Sequence, residues 1–214
     1  MVRCVVYAEG SRETGDSAFS SLPPGSALPE ATLGPAHWLI RRIVGHPELR
    51  FDVPLPLRGR RVRGSDLRHP RNVRQLATWA SPETEPQLTV FFVDADGDAS
   101  IQRKLESELA ARSRPRPPAV VAVPIQEFEA WLISDVAALR AVIGAGDATK
   151  DPEAMGPGEA KTTLESRLAA STTEIRAQRA MKIAIVNTLD LDAVAKRSRS
   201  FEQFRKGLLR AISG

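Results

Sequence analysis

Acidic residues stand at the ends of three short apolar runs. Val2–Ala8 is β-branched and stops at Glu9-Gly10, with Glu13 four residues beyond Glu9. Leu88–Val93 stops at Asp94-Ala95-Asp96-Gly97-Asp98. Ala119–Val123 leads through Pro124 into Gln126-Glu127-Phe128-Glu129. Apolar runs of this length read as buried strands, and in an open parallel sheet ligands bind in the crevice outside the carboxyl ends of the strands. The acids are therefore expected to converge in space although they are scattered in sequence. Carboxylates brought together disfavour one another's ionisation, and a hard divalent cation, Mg²⁺ or Mn²⁺, relieves this because it prefers carboxylate and water oxygens. Asp94 and Asp96 fall on one side if the strand continues extended, and Gly97 permits a sharp turn after them. The plainer reading of any single acid is a helix cap, with Asp98 placed to cap the helix that follows. Glu127 and Glu129 lie roughly 200° apart if their segment is helical, so they cannot then both face one metal.

The elements that must hold these acids follow from periodicity. Strands are predicted over 2–8, 88–93 and 119–123, with a short one near 51–57. Residues 20–36 are rich in Pro, Gly and Ser and read as an irregular excursion. Helices are predicted over 36–44, with Trp38, Leu39 and Ile43 inward, over about 70–80, and over 99–113 with Ile101, Leu105 and Leu109 on one face. The stripe Ile125, Phe128, Leu132, Val136, Leu139, Ile143 reads as one helix. A Gly, Pro and Asp-rich break at 144–160 is followed by helical patterns at about 160–170, 173–187 and 200–213. Alternating strands and helices with continuously apolar strands predict an α/β fold, a mostly parallel sheet covered on both faces. The expected division is an α/β core over 1–143, with a basic insertion around 41–80, and a helical C-terminal subdomain over 144–214.

The 214 residues, 42% apolar and 26% charged, are ordinary for a globular chain with a real core. A single cysteine, Cys4, excludes an internal disulfide framework. His37, His46 and His69 have no zinc-ligand spacing. The N-terminal run meets an acid at Glu9 and lacks the shape of a signal peptide. No apolar run approaches the 18 or so residues of a membrane span, so a cytoplasmic location is expected. The net charge of +4 is unevenly spread. Residues 41–80 hold Arg41, Arg42, Arg50, Arg58, Arg60, Arg61, Arg63, Arg68, Arg71 and Arg74 against Glu48, Asp52 and Asp66, a net of +7 beside a remainder of −3. Such a segment is either a phosphate track for DNA or RNA or a solvated face or a surface for an acidic partner. Few aromatic residues accompany it, so base stacking is not indicated.

The sequence Glu9-Gly10-x-x-Glu13 after one strand and Val93-Asp94-x-Asp96 after another resembles the TOPRIM (topoisomerase–primase) domain. With Gln126-Glu127-Phe128-Glu129-Ala130-Trp131-Leu132 and Phe201-x-x-Phe204 added, the chain looks like a TOPRIM-related family, domain-of-unknown-function family 4276, over most of its length. Relatives carry His where this chain has Gln126. The resemblance implies a TOPRIM-like, Rossmann-like fold and Mg²⁺-dependent phosphodiester hydrolysis, in anti-phage defence beside a partner ATPase. It implies that Asp94 and Asp96 hold the metal and that Glu9 is a ligand or the acid/base. Glu129 matches the Phe-Glu-x-x-Leu pattern and is a fourth catalytic candidate, with Glu13 and Glu127 as further metal candidates. Arg58, Arg60, Arg61, Arg63, Arg68, Arg71 and Arg74 then become candidates for holding nucleic acid. Tyr7, the single tyrosine, lies within a predicted strand, which favours hydrolysis over covalent strand passage.

Two other classes fit part of the pattern. Phe91-Phe92-Val93-Asp94-x-Asp96-Gly97 also resembles the opening of haloacid-dehalogenase phosphatases, with Asp94 as nucleophile and Asp96 as acid/base, and Gly146-Asp147-x-x-x-Asp151 imitates their later acidic motif. That reading leaves Glu9-Gly10 unexplained and puts Asp98 where Thr or Ser belongs. A non-catalytic subunit binding an ATPase or nucleic acid is the other. An EF-hand is excluded, because its glycine follows a third alternating acid.

Overall fold

The computed structural model describes residues 2–15, 21–46, 48–78, 87–98, 100–111, 118–144 and 151–213. Four strands form one sheet: β1 (Val2–Ala8), β2 (Leu49–Asp52), β3 (Leu88–Phe92) and β4 (Ala119–Ala122), in the order β2-β1-β3-β4. Every pairing is parallel, with Cys4 opposite Phe51 and Leu88, and Val90 opposite Val120. The chain is thus α/β with a Rossmann-like sheet.

Side chains alternate across the strands and feed two cores. Cys4, Val6, Leu88, Val90, Phe92, Val120 and Ala122 enter the larger, with α2 (Pro35–Val44), α6 (Phe128–Ile133) and the helices after residue 150. Val5, Tyr7, Phe91, Val93, Val121 and Val123 enter the smaller, with α3 (Gly64–Leu67), α4 (Pro70–Thr78) and α5 (Ile101–Ala110). Burial on both faces explains why the strands read as apolar runs rather than as alternating patterns.

The C-terminal segment supplies α8 (Glu159–Ser171), α9 (Ile175–Thr188), α10 (Leu191–Arg197) and α11 (Arg199–Ser213). Trp131 of α6 stacks on Phe204 at 5.5 Å between ring centroids and meets Phe201 edge-on at 5.3 Å. Its indole N–H donates to Ser200 Oγ at 2.9 Å. The aromatic pair of the last helix is therefore built into the same core as the sheet.

Three boundaries differ from the sequence expectation. β2 starts earlier, at Leu49 opposite Val2, and ends earlier, at Asp52, because prolines 54 and 56 follow. The stripe from Ile125 to Ile143 is not one helix: it breaks after Ile133, and α7 (Val136–Ile143) starts afresh. The buried Asp135 carboxylate makes the break, accepting from the Ala137 and Ala138 N–H groups with Oδ1 and from Asp190 N–H with Oδ2. The helix α10 went unpredicted, and Asp190 caps it in the same way. The expected helix ends at 79–80 and 113, the connector at 114–117 and Asp147 lie outside the described residues. No helix among the described residues is long and apolar enough to cross a membrane.

Candidate functional site

The strand order fixes where a site belongs. From β1 the chain moves to β2 on one side, then crosses to β3 on the other, so the order reverses between β1 and β3. In open α/β sheets that reversal opens a crevice at the carboxyl ends of the two strands, where ligands bind. Glu9 follows β1 and Asp94 lies just beyond β3. The Glu9 N–H donates to Phe92 O at 3.0 Å, and the Asp94 N–H donates to Glu9 Oε2 at 3.2 Å, which ties the two ends together.

Glu13 is on α1 (Ser11–Thr14), the turn directly after Glu9-Gly10. α1 lies hard against the start of α2: a Cβ on Gly34 would stand 2.3 Å from Glu13 O. The short helix α3 approaches Glu9 equally closely, and a Cβ on Gly64 would stand 2.3 Å from Glu9 O and 2.8 Å from its Cγ. Only glycine permits either contact. Asp96 departs from the expected extended course. Its φ is +45°, followed by +81° at Gly97, so the chain turns at Asp96 itself, a conformation aspartate tolerates better than most residues.

Arg68 and Lys182 organise the acids. Arg68, just past α3, donates through Nη1 to Glu9 Oε1 at 3.1 Å and to Asp96 Oδ2 at 2.6 Å, and through Nη2 to Ala95 O at 3.4 Å. Lys182 of α9 donates to Glu129 Oε1 at 2.8 Å, with both side chains buried. Glu13 and Asp94 have no ion-pair partner among the described residues, and their carboxyls are the ones pushed upward. Burial raises Asp94 to about 8, reinforced by the charges of Glu13, Glu129, Glu9 and Asp96. Burial and the nearby Glu129 raise Glu13 to about 7, with Lys182 and Lys161 pulling the other way. Glu13 Oε2 is buried without a hydrogen-bond partner.

Glu9, Glu13, Asp94, Asp96 and Glu129 are thus electrostatically one group. Glu127 is not part of it. It precedes α6 in extended backbone, and its carboxylate accepts from the Lys161 N–H at 2.9 Å. Asp98 serves its own turn, accepting from the Ser100 N–H and hydroxyl and pairing with Lys104.

Among the described residues, no three acidic, His or Cys side chains are gathered closely enough to hold an ion as they stand. The chemistry nonetheless fits a hard divalent cation. Glu13 offers a buried oxygen with no partner, Asp94 beside it has no counterion, and all the donors are carboxylate oxygens. Glu13 and Asp94 are the residues that would hold it, with Glu9 and Asp96 available once they part from Arg68.

The basic segment is not one uniform track. Arg58, Arg60, Arg61, Arg63 and Arg71 are exposed, but Arg60 grips Asp66 through two 2.8 Å contacts that pin the loop to α3. Arg74 pairs with Glu108 of α5 at 2.9 Å, and Arg68 is committed to the acids. The role of Arg68 was hidden because a clamp and a phosphate ligand look alike in sequence. Lys182 did leave a signal: it shares an apolar helical stripe with Ile185 and Val186, where a lone lysine must have a partner.

No curated protein and no solved structure matches this chain. A family model does, over residues 28–209, which takes in Asp94, Asp96, Glu129, Arg68 and Lys182. The chain belongs to the family described as Domain of unknown function (DUF4276).

Proposed function

We propose that the protein is a metal-dependent phosphodiesterase of TOPRIM type, acting on DNA or RNA. The observation that carries this reading is the pair of half-buried carboxyls without an ion-pair partner among the described residues, Asp94 and Glu13, at the crevice between β1 and β3. Bound Mg²⁺ or Mn²⁺ would polarise a phosphoryl oxygen and supply a hydroxide nucleophile. Glu13 and Asp94 would hold the cation together with Glu9, and the polar contact of Glu9 with the Asp94 amide keeps the two strand ends in register. Glu129 is withdrawn and tied to Lys182, so its part is to set the field at Asp94 rather than to touch substrate. Arg68 holds Glu9 and Asp96 together before a cation arrives and, once displaced, stands where a phosphate could take its guanidinium. The exposed Arg58, Arg61, Arg63 and Arg71 would steer a polyanion. A role in anti-phage defence with a partner ATPase belongs to the same reading and rests on the resemblance.

A non-catalytic subunit is the second reading. It is favoured by the Arg68 bridge, which already gives Glu9 and Asp96 a cation of the protein's own. Nicking or degradation of plasmid DNA and of RNA with Mg²⁺ or Mn²⁺ separates the two, with wild type compared to Asp94→Ala, alone and with the partner ATPase that the resemblance implies. Metal-dependent cleavage lost in the variant supports the enzyme. Equal inertness of both proteins under every condition leaves the subunit reading.

A further inference from the structure

β1 outruns its neighbour. Its last pairing with β2 is Val5 opposite Asp52, yet the strand continues to Ala8. Alternate residues of a strand turn both backbone groups to the same side. Glu9 donates to β3, so Val5 and Tyr7 also face β3, while Val6 and Ala8 face the side of β2. Continued in register, the ladder would draw its next donors to the Val6 and Ala8 carbonyls from residues 54 and 56. Both are proline and have no N–H to give. The intervening donors point elsewhere: Val53 N–H to Ser26 O at 2.8 Å and Leu55 N–H to the Tyr7 hydroxyl at 3.2 Å. The Val6 and Ala8 carbonyls are therefore left without ladder donors, and the Ala8 N–H makes no bond to the Pro54 carbonyl that the register would offer it, so all three groups lack ladder partners among the described residues.

These groups do not face open solvent. A slot of about 210 Å³ separates the β1 edge from the Val53–Pro56 segment, walled by Leu22, Pro24, Val62 and Arg61. Its volume falls below the ~300 Å³ at which drug-sized sites begin, so it fits one ring system rather than a whole nucleotide. One edge presents an acceptor, a donor and an acceptor, and the remaining walls are mostly apolar. A flat heterocycle with a hydrogen-bonding edge matches both features. Ala8 directly precedes Glu9 in the chain, so the slot and the acidic crevice flank the same end of β1 on its two sides.

We propose that this slot is a nucleobase subsite, in which the base edge bonds to the backbone of Val6 and Ala8. It extends the phosphodiesterase reading by giving the substrate a base-binding position, and it rests on that reading only for the choice of a nucleotide. Base binding itself needs neither metal nor cleavage.

The test is titration of the metal-free full chain, in EDTA, with the four nucleoside 5′-monophosphates and with ribose 5-phosphate, read by ligand-observed NMR. At least one monophosphate is expected to bind tenfold or more tightly than ribose 5-phosphate. Pro54→Ala supplies the missing donor to Val6, and Val62→Trp fills the slot. Each is expected to weaken monophosphate binding at least tenfold, with ribose 5-phosphate unaffected and the melting temperature held. Monophosphates that bind no better than the baseless sugar phosphate overturn the proposal, as does wild-type binding by both folded variants. Base binding without any cleavage of polynucleotide removes the phosphodiesterase reading and leaves the subsite. Cleavage of polynucleotide by a protein that binds monophosphates no better than ribose 5-phosphate does the reverse.

Discussion

Lys182 Nζ lies 2.8 Å from Glu129 Oε1, joining α9 of the C-terminal segment to the first turn of α6 inside the protein. Removing one member of a buried pair strands the other as an uncompensated charge, which costs about 3–5 kcal/mol. Lys182→Met is expected to lose that much in urea unfolding. The double variant Lys182→Met/Glu129→Gln should recover most of it, because no buried charge remains. Equal losses in the single and double variants would mean that the lysine acts by packing alone.

Asp94 and Glu13 make the stability of the metal-free protein depend on pH. Unfolded, these carboxyls titrate near 4; folded, burial and neighbouring carboxylates lift them to about 8 and about 7. The folded state therefore binds more protons than the unfolded one across that window. The stability this provides is complete below pH ~4 and is lost as pH rises towards 8. Asp94→Asn should flatten the profile and raise the melting temperature at pH 8.5 by several degrees, 1 kcal/mol being worth about 2–4 °C in a chain of this size. A melting curve in which the variant is less stable than wild type at pH 8.5 contradicts the assignment.

Arg68 occupies Glu9 and Asp96 and would compete with a cation bound there. Arg68→Gln keeps a hydrogen-bonding side chain but removes the charge. Mn²⁺ is expected to bind this variant about 3–10-fold more tightly than wild type, measured by calorimetry in the absence of nucleic acid. Weaker Mn²⁺ binding would show that the guanidinium positions the ligands rather than competing for them.

Gly64 lets α3 rest on Glu9. Gly64→Ala places a methyl 2.3 Å from Glu9 O, against backbone that cannot rotate away. A loss of about 1–3 kcal/mol is expected from overpacking, together with weaker Mn²⁺ binding as Glu9 is displaced. Unchanged stability would show that α3 moves freely off β1.

The strands and the acids after them were legible because a strand buried on both faces writes itself as an apolar run, and topology then sends the ends to one edge. The fate of each acid was not. Asp96 turns left-handed at its own Cα instead of extending β3, and Glu127 reaches a backbone amide of α8. Both outcomes depend on partners far away in sequence. The break at Asp135 was masked by an apolar spacing that two helices happen to share. Pro54 and Pro56 were visible as residues, but their effect on Val6 and Ala8 needed the register of β1 and β2.

The most direct measurement is calorimetric titration of Mn²⁺ into the wild-type chain and Asp94→Asn at pH 7 and pH 8.5, in buffers of differing ionisation enthalpy. Saturable binding by wild type is predicted, tighter at pH 8.5 and accompanied by proton release at pH 7 as Asp94 and Glu13 ionise, and Asp94→Asn should bind at least tenfold more weakly. Absence of binding to wild type, or equal binding by the folded variant, would contradict the assignment of the carboxylates between β1 and β3 as a cation site.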